Sequence, residues 1–138
     1  MTDPVFVDTS ALYAVLDADD AYHSVAAAAM ERLLDELDHS DTEVVTHGSV
    51  IVEATALVQR RLGMPATRVL LDDLLPLMTV VWVDAELHGR ATTALLAASR
   101  RDVSLVDWTS FTVMRERAIE LAFAFDDDFA EQGFRPYG

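Results

Sequence analysis

Val5-Phe6-Val7-Asp8-Thr9-Ser10-Ala11-Leu12 sets two β-branched residues and an aromatic in front of an acid, and then two hydroxyl residues in front of an apolar helical pattern. The first three favour a short buried strand, and Asp-Thr-Ser favours the start of a helix. A strand that ends on a carboxylate and turns at once into a helix is the opening of a βα unit. In parallel sheets the residue at that junction lies on the rim where ligands bind.

Outward from this stretch, apolar runs of strand length alternate with helical patterns. Residues 10–16 and 22–37 read as helices, residues 39–42 as a loop and residues 43–46 as a second strand. A helix is expected over 50–62, stopped by Gly63 and Pro65. A further helical pattern over 67–78 is ended or kinked by Pro76. Residues 79–83 form a β-branched strand, and Asp84 is placed to cap a helix running to about Ser99. Ser104 opens a helix to about Ala118, and residues 121–125 form a fourth strand. The triple acid Asp126-Asp127-Asp128 with Phe129-Ala130-Glu131 makes a short helical turn, and residues 134–137 an edge strand. Strands alternating with helices predict one domain over 1–138: a three-layer α/β/α sandwich around a parallel sheet of four to five strands.

Composition narrows the function. The chain has 138 residues, is 51% hydrophobic and contains no cysteine, which excludes a disulfide framework, thiolate metal sites and cysteine catalysis. No apolar run reaches membrane-span length and no signal peptide is readable, so a cytoplasmic protein without membrane contact is expected. The net charge is -14, from sixteen Asp, eight Glu and ten basic residues, all Arg. Such a surface repels nucleic-acid backbone, since binding there usually rests on neutralising phosphates. Two considerations oppose this. Charge repulsion is screened within about 3 Å at 1 M salt, and acidic, lysine-free composition fits a salt-adapted proteome as well as a GC-rich genome. Carboxylates also meet phosphate when divalent ions lie between them.

Four acids fall by topology at one end of the sheet: Asp8 after the first strand, Glu53 early in the helix after the second, Asp107 in the first turn before the fourth, and Asp126 just beyond it. Carboxylates about 4 Å apart repel by about 4 kcal/mol at an effective dielectric near 20, so they require protons or a divalent cation. An all-oxygen donor set without paired His favours Mg²⁺ or Mn²⁺, and such ions serve phosphodiester hydrolysis. Each acid also has a local reading. Asp8 can cap the first helix, Ser104-x-x-Asp107 matches a capping box, and Asp126 or Asp127 can cap the last turn. Glu53 interrupts the apolar run Val50-Ile51-Val52 and Ala54-Thr55-Ala56-Leu57-Val58, where a charge needs a partner. Of the four His, only His47 falls on the same rim. Arg60 shares nearly the face of Glu53 and can meet a substrate phosphate or an acidic neighbour, and Trp108 can stack on a base or simply pack.

In order and spacing these segments resemble PIN domains. The strand ending in Asp8-Thr9-Ser10 resembles the family's opening motif, Glu53 its second acid, Ser104-Leu105-Val106-Asp107 the third motif and Phe125-Asp126-Asp127-Asp128-Phe129 the fourth. The stretch from Asp107-Trp108-Thr109-Ser110-Phe111 to Asp126 is most similar to VapC toxins of type II toxin–antitoxin pairs. The resemblance implies a divalent-metal endoribonuclease acting on structured transfer, ribosomal or messenger RNA. It also implies a homodimer and a cognate antitoxin protein. Asp8, Glu53, Asp107 and Asp126 would hold Mg²⁺ or Mn²⁺, with Asp128 secondary, while Thr9 or Ser10 would assist through a hydroxyl group. Ala124 stands where many members carry Thr or Ser. Two alternatives share the fold: an RNA-processing nuclease without a toxin role, and an inactive PIN-fold interaction module. A phosphoacceptor receiver would need a lysine, and a haloacid-dehalogenase-type phosphatase a second Asp at position 10.

Overall fold

The computed structural model describes residues 3–138. Its centre is a five-stranded, wholly parallel sheet in the order β3-β2-β1-β4-β5. The strands are β1 (Val5–Val7), β2 (Val44–His47), β3 (Thr79–Val81), β4 (Leu121–Phe123) and β5 (Arg135–Pro136). β1 and β2 are buried along their whole length, as expected for central strands of a parallel sheet covered on both faces. Val7 lies level with Phe123 across the β1–β4 pair.

Helices α1 (Thr9–Leu16), α2 (His23–His39), α3 (Gly48–Leu62) and α4 (Met64–Arg68) pack on one another in the crossovers that build the sheet from β1 to β3. The chain then returns past β1 through α5 (Ala85–Ala98) and α6 (Leu105–Glu116), which pack together, to form β4. Right-handed crossovers running in opposite directions put the two groups on opposite faces, giving the three layers. A short α7 (Asp128–Glu131) leads into β5.

One proline reading changes. Gly63 ends α3 at φ 87°, ψ -174°, a conformation open to glycine, but Pro65 does not stop a helix. It sits in the first turn of α4, where a missing N–H costs nothing. The helical pattern thus starts earlier than expected and ends as predicted near Pro76: α4 widens into π-type turns over Val69–Leu74 and tightens into a 3₁₀ turn over Leu75–Leu77. Pro76 lacks the N–H that would continue the ladder. Among the described residues no helix is long and apolar enough to cross a membrane.

Asp84 caps α5 as expected, its Oδ1 accepting the Leu87 amide at 2.8 Å. Asp84→Ala is expected to lower unfolding free energy by about 1 kcal/mol with an unchanged denaturant slope. Urea titration checks this, and an unaltered midpoint would show the cap to be dispensable.

Candidate active site

The sheet is built outward in one direction from β1 to β3 and in the other from β4 to β5, so strand order reverses between β1 and β4. The carboxyl ends of these two strands open a crevice, and the acids gather there. Asp8 follows β1, and its backbone N–H donates to Phe123 O at 3.0 Å, pinning it against β4. The side chain is buried, at 4% exposure. Its Oδ2 caps α1, accepting from Ser10 N at 3.2 Å and Ser10 Oγ at 2.8 Å. The same Ser10 Oγ accepts the Phe125 amide at 3.0 Å. Ser10 therefore ties the first acid to the end of β4, and its hydroxyl is committed to that tie.

Asp107 occupies the first turn of α6, and the capping box expected from Ser104-x-x-Asp107 is formed. Asp107 Oδ2 accepts from Ser104 N at 3.1 Å and Ser104 Oγ at 3.0 Å. Asp126 Oδ1 accepts the Asp128 amide at 3.2 Å, a two-residue turn that brings both carboxylates to one side. Asp107, Asp126 and Asp128 each present an oxygen within 4.8 Å of the others. Asp128, a secondary candidate by sequence, is thus in the tightest group; the signal was the i, i+2 spacing within the triple acid.

The electrostatics are those of a site short of positive charge. Burial pushes the Asp8 carboxyl from its ordinary 3.8 up to about 7, with the charges of Asp126 and Asp107 adding and the Ser10 bonds opposing. Asp126 is more open, yet partial desolvation, then Asp107 and Asp128, push it up to about 6. Asp128 is raised too, by burial and then by Asp107. A hard divalent cation fits this donor set: all oxygen, mutually repelling, with Asp107 Oδ1 and Asp126 Oδ2 accepting no hydrogen bond among the described residues. The buried Thr9 hydroxyl, next in sequence to Asp8, has no hydrogen-bond partner among the described residues.

Other residues are placed differently. Glu53 is exposed on α3 and outside the three-acid group. The apolar run around it suggested a buried charge in need of a partner. Instead Val52 is also exposed, at 68%, because this face of α3 lines an open cleft of about 450 Å³ with Trp82 and Val106. At Gly48, the start of α3, a Cβ would come within 2.6 Å of the Trp82 ring, so a larger residue would displace that exposed ring. Arg60 is exposed and pairs with no carboxylate among the described residues. Trp108 is buried, edge-on to Phe111 at 5.3 Å, so it packs and is not open to a base. His47 is wholly buried and caps α3, and burial pushes its pKa down to about 4.

The pattern that defines the PIN domain matches residues 5–135. The chain belongs to the PIN-domain family. Among PIN proteins it is 38% identical over 133 residues to the 23S rRNA-specific endonuclease VapC20 of Mycobacterium tuberculosis, covering 94% of this chain and 95% of that protein. The crystal structure of that VapC20, described as a sarcin–ricin loop cleaving toxin, superposes with a TM-score of 0.79 at 36% identity, over 95% of this chain and 96% of the other. Two more distant structures share the PIN fold. VapBC2 from Rickettsia felis, bound to a DNA fragment from its promoter, has a TM-score of 0.68 at 10% identity, covering 98% and 99% of the two chains. FitAcB from Neisseria gonorrhoeae has 0.64 at 13%, covering 97% and 96%. Within the PIN family this chain is of the VapC type, a metal-dependent RNA endonuclease.

The raised carboxyls make stability depend on pH. The Asp8 carboxyl titrates near 3.8 in the unfolded chain and about 7 in the fold. Its contribution is complete below the lower value and is lost as pH rises through the upper. In EDTA the melting temperature is expected to fall from about pH 5 to about pH 8. Saturating Mg²⁺ should remove most of that fall. Asp8→Asn should shrink it and melt above wild type at the alkaline end. An equally steep fall in the variant would acquit Asp8.

Proposed function

We propose that this chain, acting as a single PIN-like domain in the cytoplasm, is the toxin of a toxin–antitoxin pair and cleaves structured ribosomal RNA at a sarcin–ricin-type loop of 23S rRNA. The observation that carries this is the gathering of Asp8, Asp107, Asp126 and Asp128 at the β1–β4 crevice, in a chain 38% identical, nearly end to end, to a 23S rRNA-specific endonuclease.

In this reading Asp107, Asp126 and Asp128 hold Mg²⁺ or Mn²⁺, with Asp8 beneath them and Glu53 approaching from the wall of the adjoining cleft. Bound there, the cation would activate water and offset the charge that develops on a phosphodiester during hydrolysis. Burial raises the Asp8 carboxyl, and a cation bound beside it would favour its ionised form. Ser10 keeps Asp8 and the end of β4 in register. Arg60, on the solvent face of α3, is the residue assigned to substrate, whereas the Thr9 hydroxyl is buried and closed to it. Exposed Val52, Trp82 and Leu96 are apolar surface that supports assembly, both as a homodimer and with an antitoxin protein.

The test is cleavage of intact ribosomes and of isolated 23S rRNA by purified protein, with Mg²⁺ or Mn²⁺ against EDTA, at low and molar salt. One discrete metal-dependent cut is expected, mapped by primer extension to the sarcin–ricin loop. Asp8→Asn should remove it while leaving the circular dichroism spectrum unchanged. A discrete cut in transfer RNA would reassign the substrate. Metal binding without any cleavage of cellular RNA would favour the interaction-module reading.

A further inference from the structure

His47 is the last residue of β2 and wholly buried, and both of its ring nitrogens are engaged. Nδ1 accepts the backbone amides of Ser49 at 3.2 Å and Val50 at 3.4 Å, so the ring proton sits on Nε2. Nε2 then donates to Ser110 Oγ at 2.9 Å. The Ser110 hydroxyl has one proton, and it goes to the carbonyl of Val106 at 3.0 Å. That carbonyl belongs to the peptide immediately before Asp107. We propose that His47 and Ser110 are positioning residues for the metal site, a hydrogen-bonded strut that fixes the first turn of α6, and with it Asp107, to the sheet.

The need for a strut follows from the site's repulsion. Asp107 faces Asp126 and Asp128 across less than 5 Å, so the turn that carries it is pushed outward. Its bonds to Ser104 lie within the same turn and move with it, and therefore hold the side chain but not the turn. His47 sits on the strand beside β1, with its ring 5.9 Å from that of Phe6, two residues before Asp8. The strut thus links the element carrying Asp107 to the strands that position the other acids. Each bond alone has a local reading, helix cap for His47 and back-bond within a helix for Ser110. The residue type does not: Ser, Asp or Asn caps a helix as well. Only a ring with nitrogens on opposite edges caps α3 and reaches α6 together. Outer partners of metal ligands commonly matter about ten- to a hundredfold in metal affinity.

The inference rests on Asp107 as a metal ligand, and the experiment separates the two claims. Mn²⁺ binding to the apo protein is measured by calorimetry, alongside melting in EDTA and cleavage at saturating Mn²⁺. Four variants are compared with wild type. Ser110→Ala cuts the strut at its centre. His47→Asn keeps an oxygen for the α3 cap but is too short to reach Ser110. Asp107→Asn removes the ligand, and Val58→Ala softens the buried core at the far end of α3. Both strut variants should bind Mn²⁺ about ten- to a hundredfold more weakly, their combination no worse than either, and Val58→Ala as wild type does. Strut variants that melt lower yet bind Mn²⁺ normally, while Asp107→Asn does not, would overturn the strut alone. Normal binding by Asp107→Asn would overturn both claims. Equal loss in Val58→Ala would show general softening and remove the strut. If Ser110→Ala fails to fold, His47→Asn decides.

Discussion

Repulsion among carboxylates held at the carboxyl ends of β1 and β4 is the constraint around which this molecule is arranged. Strand order reverses there, so no crossover helix closes the crevice, and acids from three separate segments meet in it. Desolvation makes each charge costlier and each neighbour more repulsive, which is why Asp8 and Asp126 hold their protons so far above the ordinary carboxylate range. A fold that keeps such a group together without a cation must anchor every member through bonds that do not neutralise it.

The anchoring follows one scheme. Asp8, Asp107 and Asp126 each commit one oxygen to neighbouring backbone and hydroxyl donors: Ser10, Ser104 and the Asp128 amide. The second oxygen of Asp107 and that of Asp126 accept no backbone amide or hydroxyl among the described residues. Helix capping and ligand binding, which look like rival readings of an Asp in a first turn, are here two uses of the two oxygens of one carboxylate. Packing supports the scheme from below. Phe6, Phe111 and Phe129 meet edge-on or tilted at 5.1 to 6.1 Å beneath the crevice, and Tyr22 stacks on Phe125 at 4.8 Å. Side chains so interlocked leave the strand ends little freedom to separate.

Element type was readable along nearly the whole chain because local and global preferences agree: β-branched strands, Asp and Ser caps, a glycine stop. What misled was proline at position 65, whose meaning depends on whether a helix lies before it or after it, and α3 and α4 are separated by Gly63 alone. Asp8, Asp107 and Asp126 could be placed on the rim from topology, since each abuts a strand end or helix start. Glu53 lies on a helix, where position along the axis is readable but the facing partner is not. An apolar neighbour such as Val52 signals burial only if something covers it, and among the described residues Val52 stays 68% exposed. The His47–Ser110 contact spans 63 residues and was beyond sequence reasoning, although the rim position of His47 was not.

The acidic surface bears on how RNA can be held. Arg90, Arg100, Arg117 and Arg135 are paired with carboxylates, and Arg32, Arg61 and Arg115 lie over aromatic rings. Arg60, Arg68 and Arg101 remain, far fewer than the cations a general RNA binder presents. Affinity that rests on neutralising phosphates falls with salt in proportion to the number of contacts, at about 0.7 logarithmic units per contact and decade for single strands. A chain with so few contacts starts weak but loses little as salt rises, whereas a basic ribonuclease would be disabled. Holding the phosphate through a cation seated among carboxylates obeys the same logic, because a contact that short would be screened little by mobile ions. The -14 charge and an RNA substrate are therefore compatible wherever ionic strength is high, with recognition carried by the shape of the folded RNA and by the crevice itself.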